Sequence, residues 1–424
     1  MSRRDEITNN IDWLTVLLFF LIAILGWMNI FAAVYDESAN QNIFDMSLNS
    51  GRQLLFLASS ILLIIGIMVV DFKFYDTFAY VIYGGVILLL VFVLLFGREV
   101  AGSRSWFELG PIRLQPSELA KFATALAVAK YMSTAGFKID RLFQQVILFI
   151  IIGTPAILII LQGDTGTALV YSIFAFVFFR EGMSPMLLIL GTASAIIFVL
   201  TLLVPNHLYL YIGITMIAAV TIFFIKKKTF KTIALVVIGA ALVSGVIRSV
   251  DYVITDVLKP HQQNRIKALI NPDGDPLGYG WNVTQSKIAI GSGGFSGKGF
   301  LKGTQTKFDF VPEQSTDFIF CTIGEEHGWI GSLLTIGLFV ALLLRIIHIA
   351  ERQKWRFARV YGYSVACIIF FHFAVNIGMT IGLFPVIGIP LPLFSYGGSS
   401  LWGFTILLFI LLKLDAHRSQ VLIH

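Results

Sequence analysis

The sequence predicts an all-α, polytopic integral membrane protein, and three observations carry that reading. Of 424 residues, 57% are hydrophobic and only 13% charged, whereas a soluble chain carries about 25% charged residues. The mean hydropathy is +0.82. Twelve apolar runs of roughly 20 residues follow one another, the length needed to cross the hydrocarbon of a bilayer.

The runs lie near 12–34, 53–70, 75–96, 117–134, 143–161, 166–179, 185–204, 208–225, 231–250, 318–344, 360–382 and 396–412. Most are apolar on every side, as helices facing lipid or one another are. The sixth is short and starts behind the Gly163/Gly166 break. The first is too long for a signal-peptide core and is read as a retained anchor. With the N-terminus inside, twelve spans put most of the 31 Lys and Arg residues in cytoplasmic loops, among them Lys226, Lys227, Lys228, Arg352, Lys354 and Arg356. The positive-inside rule therefore predicts that both termini are cytoplasmic. The net charge of +6 favours anionic lipid headgroups, and nothing suggests nucleic acid. Cys321 and Cys367 fall inside predicted helices without CxxC spacing, as buried small hydrophobes do.

Charge is costly inside an apolar frame and needs a reason; here it collects at the outer ends of the spans. The stretch 97–121 carries Arg98, Arg104 and Arg113 on the outer side. Pro116-Ser117-Glu118 is a helix-start signal, and Glu118 and Lys121, three apart, share a helix face. They form either a neutralised structural pair or one whose partner an anionic substrate borrows. Asp164, in the polar turn 162–167, either caps the next helix or belongs to the site.

The outer segment 251–316 is too long for an ordinary connection, and Arg265, Lys267, Lys287, Lys298, Lys302 and Lys307 make it basic. Its run 291–299 only superficially resembles a phosphate loop, because Ser292 and Gly299 break the pattern; backbone N–H groups with Lys298 can still bind a phosphate weakly. Asp317 stands between this basic segment and Phe318-Ile319-Phe320, a place suited to accepting a proton. Thr316 or Asp317 as a helix cap is the alternative. Glu325 and Glu326 lie further down the same span and need partners or a wet cavity. The three prolines and three glycines of 384–400 exclude a regular helix, leaving a loop or re-entrant turn against protein. A carboxylate, several cations and an apolar wall at one level fit a lipid-linked pyrophosphate substrate and a hydroxyl nucleophile.

The ordered blocks Gln115-Pro-Ser-Glu-Leu-Ala-Lys121, Asp275-Pro-Leu-Gly278, Gln285-Ser-Lys-Ile-Ala-Ile-Gly-Ser-Gly-Gly294, Gly297-Lys-Gly299, Gly303-Thr-Gln305, Pro312-Glu313, Thr316-Asp-Phe-Ile-Phe320, Asn376-Ile-Gly-Met379 and Gly388-Ile-Pro-Leu-Pro-Leu-Phe-Ser-Tyr-Gly-Gly-Ser-Ser400 span nearly the whole chain. Through them the sequence resembles the SEDS family (shape, elongation, division and sporulation), its RodA branch more than its FtsW branch.

The resemblance implies a peptidoglycan glycosyltransferase of the bacterial cytoplasmic membrane that polymerises lipid II at the outer face during cell elongation. The family's essential aspartate falls on Asp317. It would deprotonate the acceptor sugar's 4-hydroxyl, which displaces undecaprenyl pyrophosphate from the donor in one inverting step and leaves a β-1,4 linkage. Arg104, Arg265, Lys287 and Lys298 are candidates to hold the pyrophosphate; Trp106, Gln115, Glu118, Lys121, Asp164, Gln285, Ser286, Glu313 and Glu325 complete the expected substrate surface. The implied partners are lipid II, the undecaprenyl-pyrophosphate-linked glycan, a class B penicillin-binding protein (a transpeptidase) and the elongation machinery. No cofactor is implied beyond room for a divalent cation. The chain reads as one membrane domain, 1–424. The family usually has ten spans, so 205–250 reads as a two-helix insertion. The family's Arg-Trp pair appears as Arg104-Ser-Trp106, and Ser315 replaces the histidine before Thr316-Asp317. A lipid II flippase, which would need acids such as Glu325 and Glu326 along a transmembrane path, and a non-catalytic scaffold are the competing classes.

Overall fold

The computed structural model describes residues 10–35, 42–100, 102–110, 112–204, 206–225, 228–252, 263, 279–307 and 310–419. A helix stands at each of the twelve apolar runs, and the chain forms two compact units, Met1–Met183 with Asn282–His424 and Ser184–Trp281.

In the first unit the helices are α1 Trp13–Val34, α2 Asn49–Val69, α3 Ala79–Phe96, α4 Pro116–Met132, α5 Leu142–Leu161 and α6 Thr165–Arg180. The second unit holds α7 Met186–Leu203, α8 Leu208–Phe224 and α9 Phe230–Tyr252, with α9 packed against both of the others. The chain re-enters the first unit along α10 Tyr279–Ser292, followed by α11 Ile319–Glu351, α12 Arg356–Thr380 and α13 Gly398–Ala416. Among the described residues eight helices are long and apolar enough to cross a membrane, so the protein is a multi-pass membrane protein.

Burial separates centre from periphery. Within the first unit 83% of the most apolar 18-residue stretch of α13 and 72% of that of α12 are enclosed by protein, against 11% for α2 and 17% for α5. The central third helix, α4, is alanine-rich, with Ala123, Ala125, Ala127 and Ala129 all 0% exposed. Small residues let backbones approach where lipid supplies no hydrophobic drive; a Cβ on Gly403 of α13 would sit 3.1 Å from the backbone oxygen of Glu118 on α4.

Two features depart from the sequence-based expectation. The span expected at 318–344 is longer and bent, because Gly328 takes φ 62° and ψ −152° inside α11. The stretch 97–114 contains a small antiparallel sheet, β1 Arg98–Val100, β2 Ser103–Leu109 and β3 Ile112–Leu114. Strands of three to seven residues carry too few alternations to be read against an apolar background.

The opposite ends of α1, α11 and α13 are tied by ion pairs. Asp12 meets Arg345 at 2.6 Å and Arg352 at 3.1 Å, while Arg352 also pairs with the buried Asp415.

Candidate active site

The sheet consumes the cations that the sequence placed beside it. Arg98 lies 2.5 Å and Arg113 3.4 Å from Glu108, and Arg104 lies 3.8 Å from Glu99. Trp106 is half-buried opposite Arg98 in the β1–β2 ladder. The backbone N–H of Arg104 donates to Gln162 O at 2.8 Å, joining the sheet to the end of α5.

Gln115 precedes α4, and Pro116 occupies its first turn, where a missing N–H costs nothing. The Gln115 side chain donates to Asp164 at 3.0 Å. Asp164 itself accepts from the backbone N–H and hydroxyl of Thr167 at 3.0 and 2.8 Å. It therefore caps α6 and also contacts the Gln115 motif. Ser399, at the start of α13, accepts from Gln115 N and donates to Arg113 O, both at 3.0 Å.

Glu118 and Lys121 are 2% and 1% exposed and 2.6 Å apart. The Lys121 ammonium also lies 3.1 Å from His372 Nε2 and 4.6 Å from the centre of the Phe404 ring. Removing one member of such a pair leaves an uncompensated buried charge, at a cost of about 3–5 kcal/mol.

Asp317 is half-buried in the turn before α11. Nearly every residue around it is held by a different segment. Gln314 donates to Ala33 O of α1 at 2.7 Å, Asn49 of α2 donates to the Ser315 hydroxyl at 3.1 Å, and Tyr396 N donates to Ser315 O at 2.9 Å. The Ser395 hydroxyl donates to Thr316 O at 2.6 Å, Asn376 to Asp317 O at 2.8 Å, and Asn29 to Ile319 O at 3.2 Å. Glu313, with φ 56°, is exposed and accepts the Thr316 hydroxyl at 2.8 Å. α11 begins at Ile319 with Phe318 in the cap position and no capping side chain. The alternative in which Thr316 or Asp317 caps this helix is not what the structure has: the Thr316 hydroxyl turns back to Glu313.

Ile389 O accepts from the same Asn376 amide at 2.8 Å. Gly26 and Gly166 let the 384–397 loop lie close to α1 and α6; an added Cβ would sit 2.6 Å from Phe394 Cα and 2.2 Å from Ile387 O respectively.

Glu325 and Lys298, expected at the substrate, meet each other at 2.7 Å. Glu325 is 0% exposed and also accepts from Thr304 N (2.7 Å), Gln305 N (2.8 Å), Thr306 N (3.0 Å) and the Thr306 hydroxyl (2.9 Å). Its carboxylate is the anchor of the 298–306 loop. Lys298 also donates to the Thr304 hydroxyl at 2.7 Å, so its ammonium is engaged within the loop. Lys287 is exposed, with its ammonium against Gly382. Gln285 and Ser286 are buried, and the Ser286 hydroxyl donates to Thr380 O at 2.9 Å. Arg265 and most of 251–278 lie outside the described residues. Among the described residues no group of three or more His, Cys, Asp and Glu can hold a metal. Both cysteines are free.

The sequence reading overlooked His372. It is 1% exposed and stands one turn before Asn376 on α12, and the two residues read adjacent carbonyls of the proline-rich loop. His372 Nδ1 is 3.3 Å from Pro390 O, and Asn376 donates to Ile389 O at 2.8 Å. The available signal was a polar i, i+4 pair inside an apolar run.

A family model described as the FtsW/RodA/SpoVE cell cycle protein matches residues 12–211 and 180–420. The peptidoglycan glycosyltransferase RodA of Treponema pallidum is 33% identical, covering 97% of this chain and 98% of that protein. The peptidoglycan glycosyltransferase MrdB of Escherichia coli K12 is 32% identical, covering 96% and 94%. A solved structure from work on polymerization and crosslinking by a peptidoglycan synthase complex superposes with a TM-score of 0.71 at 27% identity, covering 97% of this chain and 99% of that one. The crystal structure of Thermus thermophilus rod shape determining protein RodA gives 0.62 at 25% identity, covering 97% and 98%.

Proposed function

This chain belongs to the FtsW/RodA/SpoVE family of cell cycle proteins, the SEDS family, and on that premise we propose how it acts as a peptidoglycan glycosyltransferase. Lipid II is polymerised at the outer face of the bacterial cytoplasmic membrane, with both termini cytoplasmic. All twelve apolar helices span, and 205–250 is an inserted pair. Asp317 is the general base. It takes the proton from the 4-hydroxyl of the acceptor sugar as that oxygen attacks the anomeric carbon of the donor, the bond to undecaprenyl pyrophosphate breaks, and the pyrophosphate leaves with its lipid. One displacement inverts the donor's configuration to a β-1,4 linkage and requires no covalent enzyme intermediate.

The observation that carries this reading is the mounting of Asp317. Hydrogen bonds from Asn376, Ser395, Tyr396 and Asn49 fix its turn, while the residue itself stays half-exposed. A general base is useful only when its carboxylate is held within reach of the proton it removes. Lys287, Arg104 and Arg265 are the cations proposed for the pyrophosphate, and the first two are exposed. Saturation of Glu325 by loop donors removes one acid from the path a flippase would need. A class B penicillin-binding protein and the elongation machinery are the proposed partners.

The test is the purified chain with its transpeptidase partner and lipid II in detergent, with glycan strands resolved by gel. Wild type is expected to make polymer, and Asp317→Ala to lose about 10²–10⁴-fold in rate, the contribution of a positioned base. No polymer from wild type would sink the polymerase reading; polymer from Asp317→Ala at an unchanged rate would sink the base.

A further inference from the structure

The partners of His372 determine its protonation. Its Nε2 faces the Lys121 ammonium at 3.1 Å and its Nδ1 faces Pro390 O at 3.3 Å. An ammonium has only hydrogens to give, and a carbonyl only lone pairs. Nε2 must therefore accept and Nδ1 must donate, which makes the ring the neutral Nδ1–H tautomer. An imidazolium would press a second N–H against Lys121. The Phe404 ring closes this arrangement, edge-to-face with His372 at 4.9 Å and under the Lys121 ammonium at 4.6 Å.

The same carbonyl run continues toward Asp317. Asn376, one turn along α12, holds Ile389 O and Asp317 O. Ser395 accepts from Leu391 N at 2.9 Å and donates to Thr316 O. An uninterrupted polar path thus runs from Glu118 through Lys121, His372 and Pro390 to the segment that carries Asp317.

We propose that His372 is a positioning residue of the transfer site, a neutral imidazole that couples the buried Glu118–Lys121 pair to the loop against which Asp317 is held. The proposal rests on the assignment of Asp317 as the base. His372 touches no substrate; it acts by fixing Lys121 on one side and Pro390 on the other.

Two measurements test it. In the full chain, reconstituted in nanodiscs with ¹⁵N-labelled histidine, the His372 signals are assigned among the seven histidines by their loss in His372→Gln. The expected pattern is neutral Nδ1–H, constant from pH 6 to pH 8 and disturbed in Lys121→Met. An Nε2–H tautomer or an imidazolium in wild type overturns the proposal even if no variant folds. In the polymerisation assay, His372→Gln keeps one acceptor and one donor and is expected to retain at least half of kcat. His372→Phe fills the space without either, and is expected to lose about tenfold in kcat with KM for lipid II within twofold. Equal loss in both variants, or a folded Phe variant at wild-type kcat, overturns it. A wild type with the expected tautomer but no polymer places the failure in the polymerase reading.

Discussion

Asn376 Nδ2 lies 2.8 Å from the backbone oxygen of Asp317 and 2.8 Å from that of Ile389. One amide on α12 therefore sets the distance between the turn carrying the carboxylate and the proline-rich loop beside it. A buried amide with two carbonyl partners leaves both unsatisfied when it is removed, at about 1–3 kcal/mol each.

Asn376→Ala is expected to lower kcat for glycan polymerisation about ten- to a hundredfold and to lower the melting temperature in detergent. Asn376→Asp cannot donate to either carbonyl when ionised and is expected to be at least as impaired. A rate equal to wild type in a folded Asn376→Ala protein would show that the turn holds its place without this bridge.

Glu325 is expected to matter for folding of the outer loop more than for chemistry. Glu325→Gln turns an amide NH2 toward backbone N–H groups that only donate, so it is expected to destabilise by about 3–5 kcal/mol, as breaking a buried charge pair does. Lys298→Met, which leaves the backbone donors of 304–306 in place, is expected to be milder. Melting curves and limited proteolysis of 298–306 rank the two. A Glu325→Gln protein of wild-type stability would contradict the anchoring role.

The two outward cations are expected to differ. Lys287 is exposed, and a charge-assisted contact to pyrophosphate is worth about 1.5–3 kcal/mol. Lys287→Ala is therefore expected to raise KM for lipid II about ten- to a hundredfold. Arg104 lies 3.8 Å from Glu99, so Arg104→Ala is expected to raise it only severalfold. Equal effects would place both on the pyrophosphate.

At the opposite end, acid tests the clasp around Asp12. Burial opposes its charge, yet hydrogen bonds from Arg345 and Thr15 hold its pKa down to about 2, from an ordinary 3.8. A carboxyl that binds its proton more weakly when folded contributes stability that is present above about pH 4 and is lost as the pH falls from 3.8 toward 2. Denaturation of wild type between pH 7 and pH 2.5 is expected to show this acid limb, and Asp12→Asn to be less stable at pH 7 with a shallower slope. An unchanged slope would remove Asp12 from the acid response.

The sequence by itself determined the membrane frame, because lipid demands runs of apolar residues whose length can be counted. It also singled out Asp317, Lys121 and Glu118, because a charge in an apolar chain is conspicuous wherever it folds. What the sequence left open was how each of these groups is satisfied. Pairing is a relation between residues separated by anything from a few to hundreds of positions, and no periodicity records it. Tertiary packing alone decided that Lys298 meets Glu325, that Arg98 and Arg113 share Glu108, and that Asp164 serves both a cap and Gln115. The same holds for His372, an unremarked residue on an apolar helix until α4 and α12 came together. The packing of α4 on α12 brings the Lys121 ammonium to its ring nitrogen.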